Sequence, residues 1–189
     1  MLLPEGRKTA SMCYGIQGTV GEIVSNAWGF AAPYWAAPIA PCPTGGVWIL
    51  TQLWEYYLYT EDSNLLYTKI YPLYKESIAF FKEYIFLDEK GYYQSGPSIS
   101  PENSFLVEGE LYQISVSPTY EIIMIRELFD QYCKMITILV KNGMIVLEGT
   151  LKEEYHLVQT LRDALLPYRI KEDGSLCEYS HDYKIQDAQ

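Results

Sequence analysis

The chain has 189 residues, a net charge of −10 and 49% hydrophobic residues, enough for one domain with a sizeable core and too apolar to stay disordered. An acidic balance of this size excludes a nucleic-acid-binding role, which needs a basic face toward phosphate, and it fits neutral or small-molecule ligands. No apolar run reaches the roughly 20 residues that span a bilayer; the longest, Met135 to Leu147, is broken by Lys141, Asn142 and Gly143.

Residues 1–45 carry little helical periodicity. Stretches such as Ala31 to Ala37, followed by Pro38, Pro41 and Pro43, read as extended loop. The N-terminal Met-Leu-Leu-Pro-Glu-Gly-Arg-Lys lacks a signal peptide's apolar core. As written the chain reads as cytoplasmic, and as secreted or periplasmic if its true start lies upstream. Val47, Leu50, Thr51, Trp54 and Leu58 recur at helical spacing and predict a helix over 46–59. The Thr60-Glu61-Asp62-Ser63 turn starts another, with Leu66, Ile70, Leu73, Ser77, Phe81 and Tyr84 on one face. Pro72, which cannot donate to the preceding turn, predicts a split into a short helix and a longer one.

A connection of about 30 residues follows, Leu87 to Val116, with short extended pieces at 92–94 and 113–115. Loops this long inside compact domains are usually functional or disordered, and the aromatic content here favours function. Ser117-Pro118 reads as a capping serine with proline at the first helical position, opening a helix to about Lys141. Thr150 and Glu153 have capping-box spacing and open a last helix to about Leu165, ended by Pro167. In the tail, Asp173-Gly174 reads as a turn between extended pieces at 168–170 and 176–179.

The fold class is therefore all-α, built of helix hairpins with a few short β-strands in loops. Stacked helix pairs form a solenoid or a closed toroid; the absence of a fixed repeat of about 34 or 40 residues favours the toroid.

Cys13, Cys42, Cys133 and Cys177 are scattered, with no Cys-x-x-Cys pair, and read as reduced, partly buried thiols. The two histidines, His156 and His181, belong to no zinc-ligand or triad pattern. Neither a metal nor a cofactor is expected. Eighteen tyrosines and four tryptophans fit rings stacked on sugar faces, and fit helix interfaces rich in amphipathic aromatics equally well.

The segment Ser95-Gly96-Pro97-Ser98-Ile99-Ser100-Pro101-Glu102-Asn103 carries the chemistry. It places one carboxylate, Glu102, in a Pro-bracketed loop beside the short polar side chains of Ser98, Ser100 and Asn103, which suits a residue that must be held in place. Spacing alone equally allows a plain helix-starting turn, with Ser100 as cap and Pro101 at the first position.

Six collinear motifs extend this reading. They are Pro43-Thr44-Gly45-Gly46-Val47-Trp48, Leu53-Trp54-Glu55, Tyr71-Pro72-Leu73, Pro97 to Phe105, Ile125-Arg126-Glu127-Leu128-Phe129, and the tail Asp173-Gly174-x-Leu176-x-Glu178-Tyr179-x-x-Asp182. Together they resemble the catalytic domain of glycoside hydrolase family 95, the inverting α-L-fucosidases with an (α/α)6 toroid, from about Gly6 to Asp182. The resemblance implies a fucosylated oligosaccharide or glycan as substrate. It assigns the general acid, which protonates the glycosidic oxygen while an activated water attacks from the opposite face, to Glu102. Asn103 beside it would bind the sugar or orient the acid.

The departures are specific. Where the family typically has His-His-Asn-Thr-Asp-x-Trp, this chain has Glu22-Ile23-Val24-Ser25-Asn26-Ala27-Trp28. The family's Thr-Met-Asp-Met-Gln is here Thr119-Tyr120-Glu121-Ile122-Ile123. Position by position, the resemblance carries sugar contacts to Asn26, Trp28 and Glu121. The family's water-positioning asparagine pair is expected upstream of residue 1, and its His-Arg-His stretch and catalytic aspartate downstream of residue 189. Residues 1–189 thus read as an incomplete segment of a glycosidase (α/α)6 domain. The alternatives are a catalytically inactive helical remnant and a carbohydrate-binding or interaction module.

Overall fold

In the computed structural model, which describes residues 2–36 and 38–185, apolar periodicity becomes helix wherever it repeats over more than two turns. The helices are α1 (Leu2–Thr9), α2 (Gly45–Thr60), α3 (Ser63–Leu65), α4 (Tyr71–Tyr84), α5 (Thr119–Lys141) and α6 (Gly149–Asp163). Short strands between α4 and α5 are β1 (Phe86–Leu87), β2 (Tyr93–Gln94), β3 (Ser98–Ile99), β4 (Phe105–Val107), β5 (Glu110–Tyr112) and β6 (Ile114–Ser115); β7 (Lys184–Ile185) lies in the tail. The protein is mostly α-helical, as expected. No described helix is long and apolar enough to cross a membrane.

Pro72 does not break its helix. The chain widens into a π-helical stretch, Leu66–Ile70, and the Tyr71 N–H donates to the Leu66 carbonyl, five residues back. Widening the turn accommodates the proline's missing donor and its ring without stopping the chain. Asp62 begins this run as a true cap, accepting from the backbone N–H groups of Asn64 and Leu65 at 3.0 and 2.9 Å.

Three expectations are corrected. Residues 1–45 are not all loop: α1 runs on through a π-helical stretch, Ala10–Tyr14. Its polar composition hides the pattern, and Ala10 is its buried anchor. Ser117 does not cap α5. It sits at φ 50°, and its Oγ accepts from the Ser95 N–H at 2.9 Å instead. Thr150 and Glu153 form no capping box, because α6 starts two residues earlier than that box requires and Glu148 occupies the cap position without a side-chain bond. Of the expected loop at 31–37, residue 37 lies outside the described residues; 31–36 are irregular.

The core lies where α2, α4, α5 and α6 meet, around Tyr74, Ile78, Phe81, Leu128, Tyr132 and Ile136, all essentially inaccessible. Tyr74 ties three helices, its hydroxyl lying 3.0 Å from the Leu50 carbonyl of α2 and 2.5 Å from Gln131 Oε1 of α5. Arg126 of α5 donates to the carbonyls of Arg162, Leu165 and Leu166, satisfying the open C-terminal end of α6. The strands form three small antiparallel ladders, β1 with β2, β3 with β6, and β5-β4-β7. They fold the long connection against the N-terminal end of α5. The tail hairpin closes as expected around the Asp173-Gly174 turn, with Ile170 bridged to Leu176.

Candidate active site

The Ser100–Asn103 segment is a tight turn, and its residues dictate the type. The Asn103 N–H donates to the Ser100 carbonyl at 2.9 Å, Pro101 takes the first central position, and Glu102 takes the second at φ 62°. That is type II geometry, in which proline suits the first corner and the second demands a left-handed residue, usually glycine. No helix follows; the chain enters β4. The helix-starting reading of Ser100-Pro101 is therefore excluded. A glutamate in this region costs about 1–3 kcal/mol and persists only where the surroundings over-determine it.

Those surroundings come from three directions. The Glu102 N–H donates to the Pro38 carbonyl at 2.9 Å. On one side β3 pairs Ser98 with Ser115 and Ile99 with Ile114. From the tail, Glu178 Oε1 accepts from Ser100 Oγ and, at 3.2 Å, from Asn103 Nδ2. The Glu102 carboxylate itself is exposed and makes no hydrogen bond among the described residues. Its backbone is tied down and its acid is free.

Beneath the turn lies a buried polar layer. Glu121, wholly inaccessible on α5, accepts from Ser95 Oγ at 2.5 Å and from the Tyr84 hydroxyl at 3.2 Å. The same hydroxyl lies 3.1 Å from the Pro97 carbonyl. Burial pushes the Glu121 carboxyl up to about 7, with the hydroxyls of Ser95, Ser98 and Tyr84 pulling it back down. Glu22, also buried, accepts from the Tyr14 hydroxyl and from the Cys42 N–H, the latter at 2.6 Å. Desolvation raises its pKa, and those two donors partly offset the rise. Glu22 thereby pins the Pro38 to Thr44 segment, whose Pro38 and Pro41 carbonyls receive the Glu102 N–H and the Ser98 hydroxyl.

The sequence-predicted residues are thus distributed unevenly. Glu102 and Asn103 share one turn. Asn26 and Trp28 share another loop, where Asn26 Oδ1 accepts from the Trp28 and Phe30 N–H groups at 3.0 and 3.2 Å. The Trp28 side chain stands 88% exposed. Glu121 lies under the Glu102 segment, bonded to Ser95 and Tyr84. A cavity of about 520 Å³ opens elsewhere, between Val20, Asn26, Ala27, Leu50, Leu73 and Ser77, and Glu102 does not line it. The cavity walls are mainly apolar. Sequence reasoning missed Glu178 and the buried role of Glu22. The first had a signal, the Asp-Gly-x-Leu-x-Glu-Tyr tail motif; the second had none, because its partner Tyr14 lies in a segment read as loop. The cysteines are all unpaired, and burial raises the Cys42 thiol to about 12. No group of His, Cys, Asp or Glu among the described residues could hold a metal ion.

Comparison with known proteins gives the class of this mostly helical scaffold: glycoside hydrolases. Over residues 1–189 the chain matches the glycosyl hydrolase family 95 catalytic domain. It is 33% identical over 181 residues to Alpha-L-fucosidase 2 of Arabidopsis thaliana, covering 95% of this chain and 20% of that protein. It is 29% identical over 107 residues to the Probable alpha-fucosidase A of Aspergillus niger, covering 53% of this chain and 13% of that protein. The chain belongs to glycosyl hydrolase family 95. It spans 20% of the length of the plant relative and 13% of the fungal one.

Proposed function

We propose that the polypeptide carrying this segment is an α-L-fucosidase that hydrolyses terminal fucosyl linkages with inversion, and that Glu102 is its general acid. The observation that carries the reading is the strained turn at Glu102: φ 62° in a non-glycine residue, tied through its N–H to Pro38 and flanked by side chains bonded to Glu178. A general acid must be fixed relative to the leaving-group oxygen, and this backbone fixes it while leaving the carboxyl free. Family membership and the names of both relatives support the fucosidase class. The substrate is then a fucosylated oligosaccharide or glycan, with Asn103 and the exposed Trp28 as its contacts, Asn26 holding the Trp28 loop and Glu121 supporting the Glu102 segment from beneath.

The segment is part of a larger (α/α)6 toroid in this reading. Helix α2 supports it: beyond the face buried on α4 and α5, Trp48, Ile49, Tyr56 and Tyr59 stay 41–90% exposed, and a helix apolar on all sides is normally buried on all sides. The attacking water is then activated by groups outside this segment. The test is turnover of a 2′-linked fucosyl disaccharide by the full-length polypeptide, with the first-formed anomer read by proton NMR. The β-anomer of fucose supports the assignment; the α-anomer refutes inversion, and absence of turnover favours a catalytically inactive remnant.

A further inference from the structure

We propose that Glu178 is a positioning residue for the Glu102 acid, a role that rests on the reading of Glu102 given above. Its carboxylate accepts from both flanks of the turn, Ser100 Oγ on the near side and Asn103 Nδ2 on the far side, through the same oxygen, Oε1. Asn103 Nδ2 also lies 3.2 Å from Ser100 Oγ and from the Pro101 carbonyl, so Glu178, Ser100 and Asn103 close a ring of polar contacts around the base of Glu102. A charged acceptor makes such bonds stronger than a neutral one does.

Glu178 can act as an anchor because its own backbone is fixed. Its carbonyl accepts from the Thr119 N–H at 3.0 Å, at the first residue of α5. Thr119 Oγ1 donates to the neighbouring Cys177 carbonyl at 2.6 Å. The next residue, Tyr179, is 1% exposed and bridges to Pro118, and its ring packs edge-on against Phe105 at 5.0 Å. Phe105 begins the strand that leaves the turn. The tail therefore grips the turn at its polar flanks and at its apolar exit, and both grips refer back to α5. A left-handed glutamate persists only when its neighbours over-determine it, and Glu178 is the side chain that binds both of those neighbours.

The experiment measures kcat and KM of the full-length polypeptide on two fucosides. One is a disaccharide, whose leaving group needs a proton; the other is 2,4-dinitrophenyl fucoside, whose leaving group does not. Glu178→Ala should lower kcat on the disaccharide by roughly 10- to 100-fold, the scale of a misplaced catalytic group, with the dinitrophenyl substrate and KM little changed. Glu178→Gln, whose amide oxygen accepts the same two bonds, should restore most of the rate. Ser100→Ala, which keeps Glu178 and its backbone contacts, should give a smaller loss with the same selectivity. The double variant Glu102→Gln/Glu178→Ala should be no slower than Glu102→Gln alone. Equal losses of Glu178→Ala on both substrates, no rescue by glutamine, or additive losses in the double variant overturn the positioning role while leaving Glu102 intact. Glu102→Gln without leaving-group dependence overturns the acid assignment instead, whatever Glu178→Ala does.

Discussion

Replacing Glu121 with glutamine should flatten the dependence of stability on pH across neutrality. In the folded protein this carboxyl is buried and its pKa rises from 4.5 to about 7. A group whose folded pKa lies above its unfolded value favours folding when protonated. Its contribution is thus fully present below the unfolded pKa and is lost as pH rises toward the folded one. A shift of about 2.5 units corresponds to roughly 3 kcal/mol in all, of which about 2 kcal/mol falls between pH 5.5 and 8.5. Urea unfolding followed by tryptophan fluorescence at those two pH values reads it directly. The wild type should lose about 2 kcal/mol more than Glu121→Gln over that interval. Glu22, raised in the same direction, is present in both proteins and largely cancels in the difference. Parallel pH profiles, or a wild type that gains stability relative to the variant as pH rises, would refute the burial argument for Glu121.

Two other substitutions test the frame around the site. Glu102→Gly places glycine at the left-handed corner of the turn, and should raise stability by about 1 kcal/mol while abolishing acid catalysis; an unchanged or lower unfolding midpoint would contradict the strain at φ 62°. Tyr74→Phe removes a wholly buried hydroxyl that sits between the Leu50 carbonyl and Gln131 Oε1. It should cost about 1–3 kcal/mol, because two buried acceptors lose a donor, and a change within 0.5 kcal/mol would show that neither acceptor depends on it.

The helical frame was legible because apolar residues repeat at helical spacing wherever a helix has a buried stripe, as in Val47, Leu50 and Trp54 or in Leu66, Ile70, Phe81 and Tyr84. Helix ends were less legible. Ser117-Pro118 has the composition of a helix start, yet its hydroxyl and N–H are both committed to Ser95 across the long connection, a contact that local spacing does not encode. The β4–β5 hairpin was missed although Glu108 and Gly109, both at positive φ, form a two-residue corner between apolar runs, the usual hairpin signal. At the site, the acid-bearing turn could be singled out from its prolines and short polar residues. What holds it could not, since Pro38, Glu22 and Glu178 reach it from 64 and 80 residues before and 76 residues after Glu102. Glu121 illustrates the same point differently: position by position it resembles a sugar contact, while packing against Tyr84 and Ser95 buries it beneath the turn.

The central claim, that Glu102 delivers the proton to the leaving group, is tested most directly by the ratio of kcat values of Glu102→Gln on a fucosyl disaccharide and on 2,4-dinitrophenyl fucoside. General acid catalysis contributes about 10²- to 10⁴-fold. The account predicts a loss of that order on the disaccharide and near-wild-type turnover of the dinitrophenyl substrate. Equal turnover of the disaccharide by variant and wild type would contradict it.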